Sequence, residues 1–141
     1  MLWPLGKTPF LILMLCLLFF SGWSSGFQAV FFYGVIACLE RLLKLLLKRQ
    51  RPFSVLPAVR VLQAKQPHDP SHPSGDAMRI WYLAIVIPVA FSLPLSILLI
   101  FCLIAALVSL GRIAFGVHFP LDVIGGVGLG LLGAGLYLLL F

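Results

Sequence analysis

Between Ser109 and Asp122 the chain reads Ser-Leu-Gly-Arg-Ile-Ala-Phe-Gly-Val-His-Phe-Pro-Leu-Asp, an arginine, a histidine and an aspartate set between two long apolar runs. Charged or titratable side chains at the edge of a membrane span cost free energy, so by default they mark function. His118 and Asp122 are four residues apart and share one face if Pro120 opens a helix. A carboxylate that accepts one ring N–H of a histidine fixes the tautomer and frees the other nitrogen to attack an electrophile. Arg112 adds a permanent planar cation suited to phosphate oxygens. The same residue types also suit a snorkelling arginine beside an interfacial histidine, and this stretch alone does not separate the two.

Two further polar groups interrupt the apolar background. Residues 40–52 read Glu-Arg-Leu-Leu-Lys-Leu-Leu-Leu-Lys-Arg-Gln-Arg-Pro. Glu40 and Lys44 form an i,i+4 pair in the favourable order, cations suit a helix C-terminus, and Pro52 is expected to end the helix. Taken alone this is a basic juxtamembrane anchor. His72-Pro73-Ser74-Gly75-Asp76 feeds straight into another apolar segment. Serine, glycine and aspartate there are ordinary helix-capping residues, and the same geometry aims free backbone N–H groups at an anion.

The segments that must hold these groups are apolar and helical. A first run, residues 9–20, is bracketed by Trp3 and Trp23 and reads as a membrane span, with a cleaved signal peptide as the alternative. A second begins near Phe27 and becomes amphipathic after Leu39. A proline-punctuated loop runs from Pro52 to Gly75, with a short interfacial piece expected over Val59–Leu62; a connection this long in a small chain is usually functional. The third span runs from about Ala77 to Phe91, Ser92-Leu93-Pro94 turns the chain, and the fourth continues to about Phe115. The fifth follows Pro120, where Asp122, Gly126, Gly130 and Ala134 form a stripe that lets another helix approach closely.

Composition agrees. The 141 residues are 62% hydrophobic and only 10% charged, with a mean hydropathy of +1.13, whereas soluble domains carry about 25% charged residues. The net charge of +6 sits within apolar helices rather than on a solvated patch, which excludes nucleic acid and favours the bilayer and anionic lipid as partners. Cys16, Cys38 and Cys102 are isolated packing residues without disulfide or metal spacing. The expectation is a single domain, residues 1–141: an all-α integral membrane bundle of about five transmembrane helices.

Threaded through a membrane, the end of span two, the start of span three, the end of span four and the start of span five meet on one side. Lys44, Arg51-Pro52, Pro73-Ser74-Gly75-Asp76, Arg112, His118 and Asp122 therefore converge. Their patterns are K-x6-R-P, P-S-G-D and R-x5-H-x3-D. This resembles the type-2 phosphatidic acid phosphatase superfamily, with its signature K-x6-R-P, P-S-G-H and S-R-x5-H-x3-D; each part alone is weak, and the ordered three are specific. The resemblance implies an active site at one membrane face, in which His118 takes the phosphoryl group and Asp122 orients it. Lys44, Arg51, Arg112, Ser74 and the N–H of Gly75 would bind the phosphate oxygens. It also implies that no metal or other cofactor takes part, and no carboxylate cluster suited to a metal is seen in the sequence.

Two positions depart from the signature. Gly111 replaces the serine before the arginine, a minor loss of one hydroxyl. Asp76 replaces the histidine that protonates the leaving group. A carboxylate near neutrality would repel phosphate; burial of Asp76, or His72 reaching in, would restore an acid. The expected activity is hydrolysis of a lipid-linked phosphate or diphosphate (polyprenyl diphosphate or phosphatidic acid type) through a phosphohistidine, in a bacterial inner membrane. The alternative is a catalytically weak relative that binds anionic lipid headgroups.

Overall fold

The computed structural model describes residues 12, 16, 18–59, 61 and 67–140. The first expected span therefore lies outside the described residues apart from Ile12, Cys16, Leu18, Phe19 and Phe20; a 3-10 turn, Phe19–Ser21, leads into the first long helix. Five α-helices follow: α1 (Trp23–Leu47), α2 (Pro52–Val55), α3 (Gly75–Ala90), α4 (Leu95–Ala114) and α5 (Pro120–Leu140). The described residues contain no strand and their regular structure is all helical.

Helix α3 is the centre of the bundle and packs most extensively on α5, then on α4, while α1 covers α5. The close approach of α3 and α5 follows from glycine. A Cβ at Gly126 would lie 2.3 Å from the Ser74 carbonyl oxygen, and one at Gly130 would lie 2.5 Å from that of Met78. The stripe read from the sequence is thus a backbone-to-backbone seam. Beside it Phe32 and Ile36 of α1 pack with Tyr82, Leu83 and Val86 of α3 and Leu129 and Tyr137 of α5. The two tyrosines find partners inside the core: Tyr137 and Ser25 hydroxyls lie 2.7 Å apart, and Tyr82 donates to the Ala29 carbonyl.

Helix α4 buries only Ala105, Ser109 and Arg112, one stripe at i, i+4, i+7. Its other faces expose Leu95, Leu99, Leu103, Leu107 and Leu110, an arrangement suited to lipid. Among the described residues, α4 and α5 are the two helices long and apolar enough to cross a membrane. Helix α1 carries Glu40, Arg41 and Lys44 in its 25 residues. Helix α3 has 16 residues, about 24 Å at 1.5 Å per residue, against a hydrocarbon core of about 30 Å.

One boundary differs from expectation. Pro52 does not end α1; Lys48 does, in the left-handed conformation (φ 43) with its N–H bonded back to Lys44. Pro52 instead sits at the first position of α2, where its missing N–H costs nothing. The short helix of this loop is therefore Pro52–Val55, and Val59 lies outside any helix. The extended residues between Lys48 and Pro52 turn Arg49 and Arg51 inward.

Candidate active site

Three chain segments close around one cavity of about 200 Å³ at the end of the bundle where α1 ends and α3 and α5 begin. Six of the expected residues line it: Lys44, Arg51, Gly75, Asp76, Arg112 and His118. The two others, Ser74 and Asp122, are fully buried. Ser74 caps α3, its hydroxyl accepting from the Ala77 N–H at 3.5 Å, and its own N–H donates to the Asp122 carbonyl at 2.8 Å. That bond ties the start of α3 to the start of α5. A Cβ at Gly75 would lie 2.6 Å from Glu40 Oε1, so a larger residue there would have to displace the end of that side chain.

His118 is held in the tight loop between α4 and α5, 4% exposed. Its Nε2 faces the cavity, 3.4 Å from Arg51 Nη1. A guanidinium only donates, so Nε2 carries the lone pair and Nδ1 the proton. On the Nδ1 side Ser71 Oγ lies at 3.5 Å and Asp122 Oδ2 at 3.9 Å. The aspartate thus stands behind the imidazole at ion-pair distance, and the Ser71 hydroxyl, which donates to Asp122 Oδ2, fills the space between them. Burial, then the charges of Arg51 and Arg112, push the His118 pKa down to about 4, against the opposite pull of Asp76 and Asp122.

The Asp122 carboxylate is saturated by neighbours. Oδ1 accepts from Arg49 Nη1 at 2.9 Å and lies 3.2 Å from His72 Nδ1; Oδ2 accepts from the Phe119 N–H at 2.8 Å. Arg49 also stacks its guanidinium on the Phe119 ring at 4.7 Å. His72, considered above as a substitute acid, is turned away from the cavity toward Asp122 and α5, where Gly125 leaves room for its ring.

The cations each meet a carboxylate. Arg51 is 5% exposed and donates to the Val117 carbonyl and to both the carbonyl and Oδ1 of Asp69, all at 2.9 Å. Lys44 bridges Glu40, at 2.8 Å, and Asp69. Burial raises the Asp69 carboxyl, but the hydrogen bonds and charges of Lys44 and Arg51 outweigh it and hold it at about 2. Asp76 places Oδ2 2.8 Å from Arg112 Nη2 and Oδ1 3.5 Å from Arg79 Nη1. Tyr33, Asp69 and Arg79 also line the cavity. Sequence reading counted Arg79 among the cations that could serve catalysis but did not assign Tyr33, Asp69, Arg49, Ser71 or Glu40 a role here; the one signal for Asp69 and Ser71 was the length of the loop that carries them.

The arrangement offers a nucleophilic nitrogen, four guanidinium or ammonium groups and the N-terminus of a helix around one space. The PAP2 superfamily model matches residues 25–141. The undecaprenyl-diphosphatase of Sulfolobus acidocaldarius is 31% identical over 112 residues, 79% of this chain and 53% of that protein. The chain thus spans about half the length of that curated relative. Among solved structures, Aquifex aeolicus LpxE superposes with a TM-score of 0.81 at 31% identity, over 95% of this chain and 79% of that one. The Bacillus subtilis PAP2-type phosphatidylglycerolphosphate phosphatase gives 0.74 at 28%, over 96% and 71%.

Proposed function

The chain belongs to the PAP2 superfamily, and from that premise we propose that it is a multi-pass membrane phosphatase that hydrolyses lipid-linked phosphate or diphosphate through a phosphohistidine. The observation that carries the proposal is His118 Nε2 facing a cavity lined by Lys44, Arg51 and Arg112. Phosphoryl transfer asks mainly for positioning and for charge stabilisation of the equatorial oxygens. Nε2 attacks phosphorus, while Lys44, Arg51, Arg112 and the Gly75 N–H at the start of α3 hold the oxygens. Water then attacks the phosphorylated imidazole and releases inorganic phosphate. Asp122 and Ser71 act behind the ring, fixing its tautomer. A site that only binds lipid headgroups needs the cations but no imidazole backed by a buried carboxylate, and this favours the enzyme.

The bundle would cross the membrane five times, counting the apolar run at residues 9–20, with the cavity at one membrane face of a bacterial inner membrane. The substrates named for the two phosphatase relatives are lipid phosphates or diphosphates. The test is phosphate release by the detergent-solubilised chain from a panel of phosphatidic acid, phosphatidylglycerol phosphate and polyprenyl diphosphate. Release by the unmodified chain and its loss in His118→Ala, with lipid binding retained, is expected. Binding without release by the unmodified chain would leave the headgroup-binding alternative.

A further inference from the structure

Phosphoryl transfer needs a place for the electron pair of the breaking P–O bond. When neutral imidazole attacks a lipid monophosphate, that pair leaves on an alkoxide, about as basic as the anion of water, whose pKa is about 15.7. Such a leaving group needs a proton in the transition state. Among the described residues lining the cavity, none is suited to give one. His118 is the nucleophile; the Lys44 ammonium is held between Glu40 and Asp69, and Lys44 and Arg51 keep Asp69 ionised. Tyr33 accepts from Arg79 Nε at 3.1 Å, and a phenol is a weak acid for this work, since effective general acids have a pKa near the operating pH.

Asp76 lines the cavity from the first turn of α3, at the position where the signature above has its acid, and its surroundings favour the anion. It lies 2.8 Å from Arg112 and 3.5 Å from Arg79, which Glu40 also approaches at 3.9 Å, and protonating it would remove a negative charge from beside both guanidinium groups. It also occupies the first turn of α3, where the helix dipole favours negative charge. An ionised carboxylate only accepts hydrogen bonds.

We propose that Asp76, as the anionic partner of Arg112 and Arg79, makes this cavity selective for lipid diphosphates over lipid monophosphates; the inference rests on the phosphatase reading above. The charges balance without a proton donor. His118 Nε2 attacks the terminal phosphorus of a lipid diphosphate trianion, the N–P bond forms, and the bond to the bridging oxygen breaks. The electron pair leaves on the lipid monophosphate as a dianion, a stable species because its second pKa is about 6. The phosphorylated imidazole keeps the remaining single negative charge. Water then attacks it, both water protons end on phosphate, and dihydrogen phosphate leaves with neutral His118 restored.

The experiment compares phosphate release from two substrates with the same polyprenyl tail, one a diphosphate and one a monophosphate, by the full chain in detergent. Loss of general acid help costs about 10²–10⁴-fold; kcat/KM is therefore expected to favour the diphosphate by about 10²-fold or more. Asp76→His should raise monophosphate turnover by about tenfold or more and change diphosphate turnover much less. Asp76→Asn, whose amide donates hydrogen bonds but gives up a proton no more readily than the ionised carboxylate, should leave the substrate ratio where it was. If Asp76 were a protonated donor, Asp76→Asn would instead collapse monophosphate turnover alone and overturn the inference. Comparable wild-type turnover of both substrates would overturn it too, leaving the phosphatase reading intact. Release from neither would overturn that reading and the inference with it.

Discussion

His118 stands between a guanidinium in front of Nε2 and a carboxylate behind Nδ1, and this sandwich has a consequence for pH. Neutral imidazole is the nucleophile, and the pKa is lowered from the ordinary 6.5 to about 4. The neutral form therefore persists as the pH falls, and the acid limb of kcat/KM that belongs to the enzyme should lie near pH 4. Measuring the profile beside the substrate's own titration separates the two; an enzyme limb at 6.5 would contradict this environment. Asp69 gives a second expectation, because its carboxylate occupies Lys44 and Arg51 where phosphate oxygens would sit. Its side chain is 51% exposed, so each pairing is worth about 0.2–1 kcal/mol. With both pairings removed, Asp69→Asn should lower KM by about 2- to 30-fold with kcat little changed; a raised KM would mean that Asp69 holds the cations in place for substrate. Lys44, Arg51, Arg112 and His118 could be read from spacing because motifs are local strings. Asp69, Ser71 and Arg49 could not, because loop contacts have no period and each joins residues far apart in the chain.

The helices carry the geometry through glycine. Gly126 sets the α3–α5 distance, and an alanine there must push its Cβ away from the Ser74 carbonyl, only 2.3 Å distant. Backbone cannot rotate aside as a side chain can, so Gly126→Ala is expected to cost about 1–3 kcal/mol. It should also weaken catalysis by separating Ser74 from Asp122, whose backbones are joined at 2.8 Å. Gly128 points into open space, and Gly128→Ala should be neutral or stabilising by about 0.5–1 kcal/mol. Thermal unfolding of the two variants in detergent checks this; equal midpoints would show that the seam is not tight. The stripe itself was visible as a four-residue repeat. The end of α1 was not, because Lys48 in a left-handed conformation is rare for a residue with a Cβ, and Pro52 offered a more ordinary stop.

Among the described residues, the charges gather at one end of the molecule. Lys44, Arg49, Arg51, Arg79 and Arg112 all lie in or around the site, while the α3–α4 turn around Ser92 carries no cation. By the positive-inside rule the cavity is expected on the cytoplasmic side. In a background with Cys16, Cys38 and Cys102 replaced, a cysteine at Ala58 should resist a membrane-impermeant thiol reagent in intact cells and one at Ser92 should react. The reverse pattern would turn the molecule over. That the α1, α3, α4 and α5 ends converge followed from counting apolar runs, whereas the handedness with which they surround the site follows only from packing. The central claim is that this chain is an enzyme whose phosphoryl group passes through His118. Full-length protein in detergent, mixed briefly with terminally radiolabelled polyprenyl diphosphate and quenched in base, should retain label that is stable in base and lost in acid. The label should map to His118 and vanish in His118→Ala together with phosphate release. Turnover that proceeds in His118→Ala would contradict the account.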